Sequence, residues 1–73
     1  MTLEMKIRRA LDAYDDRMAD LRKEYGRRFD RLPVNIYGET SARALLDLNA
    51  WSVQKENEIK REFIAAVHEA EGR

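Results

Sequence analysis

Four sets of side chains in this sequence have the types and spacing that chemistry would need. The first is Asn49, Ser52 and Glu56, spaced three and four apart, so that on a helix they share one face. They stand where leucines would continue an apolar stripe, so they are expected to point inward. A buried carboxylate needs a donor, and Tyr14 or Arg17, from the middle of the preceding helix, or a second subunit, would supply it. The plain reading is that the three fix register and oligomeric state, as one core Asn does in a coiled coil, or that they lie on a solvent-facing seam. The alternative is a ligand-binding bundle with a polar interior.

The second set is cationic. Arg22, Lys23, Arg27, Arg28 and Arg31, joined by Arg43, face only Glu24, Asp30 and Glu39 nearby, and would suit an acidic protein surface or a phosphate backbone. Nucleic acid is the weaker alternative. Fourteen basic and fourteen acidic residues cancel overall, no helix-turn-helix spacing accompanies the patch, and Tyr25 and Phe29 fall on an apolar stripe that makes them core. The third is Trp51, set among Ala44, Asp47, Lys55 and Glu58; it reads either as an interface anchor or as a ring packed against aliphatic stems.

The fourth is a ridge that changes sign, Asp12, Asp16 and Asp20 followed by Lys23, Arg27 and Arg31. Like charges one turn apart repel, so two antiparallel copies could relieve both halves. The plain reading is basic residues complementing a helix C-terminus and ordinary surface ion pairs such as Glu24 with Arg27 or Arg28.

Catalytic and metal chemistry find little support. His68, the lone histidine, has Ala65 where a helical carboxylate metal site wants Glu. Ser41 and Ser52 have no histidine at a plausible distance, there is no cysteine nucleophile and no glycine-rich phosphate loop. No enzyme activity, metal or cofactor is therefore expected.

The elements that must position these groups are two helices. Leu3, Ile7, Leu11, Tyr14, Met18, Leu21, Tyr25, Phe29 and Leu32, with Ala10 alongside, recur in steps of three and four averaging about 3.6, the period of one amphipathic helix. Gly26 is its weak point, yet the stripe continues past it. Pro33 ends the helix by excluding Leu32 from the α region. Val34, Ile36 and Tyr37 in the connector are expected to fold back as a plug over the open end. Thr40 or Ser41 then caps a second helix, in which Leu45, Leu48, Ile59, Phe63, Ala66, Val67 and Ala70 form one face. Leu46, Val53 and Ile64 widen that face beyond what one helix can cover.

The expected fold is all-α: one domain over residues 1–73, an antiparallel αα-hairpin with helix 3–32, loop 33–40 and helix 41–70, the last residues before Arg73 fraying. Seventy-three residues bury only about 60% of their unfolded surface, and without cysteines oligomerisation is the remaining staple. A homodimeric four-helix bundle is expected, with Leu46, Val53 and Ile64 at the contact. The absence of cysteine and of any long apolar run at the start points to the cytoplasm and away from membranes. The functional expectation is a non-enzymatic regulatory, inhibitory or accessory protein that binds a protein partner. Such economy is familiar, by analogy only, in proteins with which phages and other mobile elements inhibit host machinery.

Overall fold

The computed structural model describes residues 2–72. It contains two helices, α1 (Leu3–Asp30) and α2 (Ala42–Ala70), packed antiparallel along their whole length in a slab measuring 58 × 17 × 9 Å. Neither helix is long and apolar enough to cross a membrane.

Each helix starts on a hydroxyl cap. The Thr2 side chain accepts from the Met5 N–H at 3.2 Å and the Ser41 side chain accepts from the Ala44 N–H at 3.2 Å, satisfying donors that have no intrahelical partner. The first helix stops two residues earlier than the apolar spacing predicts. Arg31 and Leu32 donate to the carbonyls of Arg28 and Phe29, so the last turn tightens to i→i+3 geometry before Pro33. Gly26 does not interrupt α1, and a Cβ built there meets nothing within 4 Å.

Facing pairs define the register. Tyr14 packs on Phe63 with ring centroids 5.2 Å apart, and Arg17 reaches Glu62 with two N–H···O contacts of 2.6 and 3.2 Å. The Tyr25 hydroxyl donates to Asn49 Oδ1 at 2.8 Å, and the Arg28 guanidinium lies 4.0 Å above the Trp51 ring. Between these pairs runs a narrow apolar seam in which Ile7, Met18, Leu21, Leu45, Phe63 and Val67 are half-buried. Among the described residues only Leu48 at 7% exposure and Ile59 at 5% are buried.

Two expectations fail here. The connector does not plug the open end, because Val34, Ile36 and Tyr37 are all exposed. Nor do Asn49, Ser52 and Glu56 enter a sealed interior: Asn49 is exposed, Ser52 and Glu56 are half-buried, and Glu56 pairs with Lys60 one turn on at 3.1 Å. Neither donor proposed for Glu56 reaches it, since Arg17 is taken by Glu62 and Tyr14 lies against Phe63. The cause is helical phase. At about 100° per residue, Asn49 and Glu56 fall roughly 70–90° round α2 from the line through Leu48 and Ile59, at the edge of the seam. Phe29 and Leu11, placed on the stripe by their spacing, are likewise exposed. The fraying expected at Arg73 lies outside the described residues.

Gly26→Ala should raise stability by about 1 kcal/mol, because it removes a flexible helical residue where the added methyl meets no neighbour. Thermal denaturation followed by circular dichroism would register this as a rise of roughly 4–8 °C in a domain of this size.

Candidate functional site

The connector is more ordered than its length suggests. Val34 and Thr40 form an antiparallel bridge, the Ser41 N–H donates to the Pro33 carbonyl at 2.9 Å, and the Asn35 N–H donates to the Glu39 carbonyl at 2.9 Å. Within this small ladder the Gly38 N–H closes a turn on the Asn35 carbonyl at 3.0 Å. The Asn35 side chain accepts from the N–H groups of Tyr37 at 2.8 Å and Glu39 at 3.0 Å. Gly38 has φ of +79°, a conformation that side chains with a Cβ adopt at a cost. Asparagine first and glycine fourth is the residue preference of the commonest β-turn, and here it holds two apolar residues at the crest. Ile36 is 92% exposed and Tyr37 is 80% exposed.

Below this crest, cations are spread along the last turns of α1 and the start of α2. Arg27 and Arg28 are partly satisfied by Glu24, at 3.4 and 3.1 Å, and Arg43 pairs with Asp47 at 3.6 Å with both groups largely in solvent. Arg22, Lys23 and Arg31 are exposed and have no ion pair among the described residues. The tip thus combines an apolar pair with uncommitted positive charge.

Away from the tip the slab has two unlike faces. On the back, Arg17 with Glu62, Arg28 with Glu24 and Lys55 with Glu58 cover the seam with charge. Trp51 belongs to this face. Half-buried, it has Arg28 on its ring, a cross-helix contact that uses part of the surface an external partner would need. The front carries an open groove lined by Met18, Leu21, Arg22 and Tyr25 from α1 and by Asn49, Ser52 and Glu56 from α2. Beside it stand Leu46, Val53 and Ile64, exposed at 66%, 55% and 52%. They lie within about 20° of one another round α2, on the Asn49 side and away from Trp51.

The sign-changing ridge lies elsewhere again. Asp12, Asp16, Asp20, Lys23, Arg27 and Arg31 are all exposed, and helical phase puts them on the edge of α1 turned away from α2. The structure therefore brings Arg22 together with Asn49, Ser52 and Glu56, and Arg28 together with Trp51, but separates both groups from the ridge. Ile36 and Tyr37 were missed as functional candidates by sequence reasoning, although the Asn35-to-Gly38 spacing signals a turn that would expose them. Among the described residues no three His, Cys, Asp or Glu side chains are grouped so as to hold a metal ion.

Asn35→Ala removes the acceptor of two loop N–H groups and should cost about 1 kcal/mol. Amide exchange at Tyr37 and Glu39 should accelerate several-fold while the middle of both helices is unaffected. Unchanged exchange at the tip would mean that the turn does not depend on this side chain. No protein-family model, curated protein or solved structure matches this chain.

Proposed function

We propose that the chain is a non-enzymatic regulatory, inhibitory or accessory module that binds a protein partner through the tip of the hairpin. The observation that carries this reading is the Ile36–Tyr37 pair, held in solvent by a turn whose own hydrogen bonds order it. Large apolar side chains on a preordered loop lose little entropy on docking, and tyrosine is among the residues that dominate binding hot spots.

Lys23 and Arg31 on one side and Arg43 on the other make the matching surface an apolar pocket with an acidic rim. Charge of this kind speeds encounter and sets orientation, while the buried pair supplies most of the affinity. The side chains that a catalytic reading would call on are engaged structurally: Ser41 caps α2, Asn49 accepts from Tyr25, and Glu56 pairs with Lys60. A cysteine-free chain also suits a reducing cytoplasm, the compartment proposed for it.

Capture from host-cell extract on immobilised wild-type chain and on the Ile36→Ser/Tyr37→Ser variant tests this reading. The variant should keep the wild-type helical circular dichroism and lose the partner, with affinity falling by at least about 30-fold if the pair is worth 2 kcal/mol or more. Equal recovery on both chains would overturn the reading. Capture abolished by nuclease, and by Arg27→Glu with Arg31→Glu, would replace the protein partner with nucleic acid.

A further inference from the structure

We propose that a second copy of this chain covers the front face, forming a four-helix bundle whose twofold axis runs parallel to the helices. The hairpin exposes more surface than a compact chain of its mass. A compact chain of 8.6 kDa exposes about 4,700 Å², whereas this hairpin exposes 5957 Å². Covering the excess of roughly 1,200 Å² on each of two copies would bury about 2,500 Å² in total, the range of obligate homodimers. Shape agrees, since the radius of gyration is 17.1 Å against about 11 Å for a compact chain of this length.

The slab is also asymmetric. The back face is covered by ion pairs and by the Arg28–Trp51 contact. The front exposes Leu11 and Phe29 on α1 and Leu46, Val53 and Ile64 on α2. Helical phase turns all five toward the same side: Leu11 and Phe29 lie about 50° from the existing seam on α1, and Leu46, Val53 and Ile64 about 140° from it on α2, to either side of the right angle at which the next helix of a bundle lies.

Register selects the arrangement. An axis parallel to the helices places α1 of one copy over α2 of the other at the same heights that face each other within one hairpin. Those heights are set by Tyr14 with Phe63, Arg17 with Glu62, Tyr25 with Asn49 and Arg28 with Trp51. In that register, Leu11 is level with Ile64 of the other copy, Phe29 with its Leu46, and Arg22 with its Glu56. Arg22 has no counter-ion among the described residues of its own hairpin, and Glu56 borders the same groove. Lys23, Arg27 and Arg31 remain on the outer edges of α1, so the cations of the two copies sit at opposite corners. Both Ile36–Tyr37 crests then project from one end.

Sedimentation equilibrium of the full chain at micromolar concentration should give twice 8.6 kDa, and Val53→Glu with Ile64→Glu should halve that mass. Because two added charges can also unfold a marginal hairpin, the arrangement is tested separately in the cysteine-free chain by mixing Phe29→Cys with Leu46→Cys. Under mild oxidation the mixture should form a disulfide-linked heterodimer at least ten times faster than either variant alone forms its own dimer. A wild-type monomer at all concentrations would overturn the proposal. So would a dimer that ignores the Val53 and Ile64 charges, or a mixture that cross-links no faster than its components.

Discussion

Two antiparallel helices can bury only the strip of side chains lying between them, and among the described residues of this chain that strip holds two buried ones, Leu48 and Ile59. Apolar burial contributes about 25 cal/mol per Å², while ordering each backbone residue costs 1–2 kcal/mol, so a hairpin with a two-residue core has little margin. Each other feature of the structure stands in some relation to that shortage. Hydroxyl caps begin both helices, an ordered turn shortens the connector, and an apolar face is left ready for more burial.

The polar contacts across the seam serve alignment more than stability. Arg17 and Glu62 meet with good bidentate geometry, yet both side chains are about half exposed, and such pairs contribute on the order of 1 kcal/mol or less. Their value lies in position. Together with Tyr25–Asn49 and Arg28–Trp51 they set α1 against α2 at three separated heights, which makes a sliding of one helix past the other costly. Because Arg17–Glu62 and Arg28–Trp51 lie on one face and leave the exposed leucine, valine and isoleucine of α2 on the other, they also decide which side of the slab is open to a neighbour.

Both helices were legible from the residues, since the steps of three and four from Leu3 to Leu32, and the steps of three, four and eleven that relate Leu45, Leu48, Ile59, Phe63 and Val67, fit the helical period. Pro33 and Ser41 bracketed the connector for equally local reasons. What escaped was phase and turn chemistry. Asn49, Ser52 and Glu56 interrupt a stripe that looks central until the facing helix is placed, and the line through Leu48 and Ile59 then leaves Asn49 and Glu56 at its edge. Arg28 over Trp51 depends on the height of one helix against the other, which spacing within a single helix does not contain. At the loop, the apolar character of Val34, Ile36 and Tyr37 suggested burial, but Asn35 and Gly38 dictate a tight turn that exposes them.

If the thin core is completed only by a second copy, folding and association are one event, and apparent stability depends on chain concentration by mass action. The most direct measurement is the thermal unfolding midpoint of the unmodified chain, followed by circular dichroism over a hundredfold range of concentration. The account predicts a midpoint that rises by several degrees with concentration and helicity that falls on dilution. A midpoint and helicity that do not change over that range would contradict it, and would show that the hairpin stands on the contacts of its own two helices.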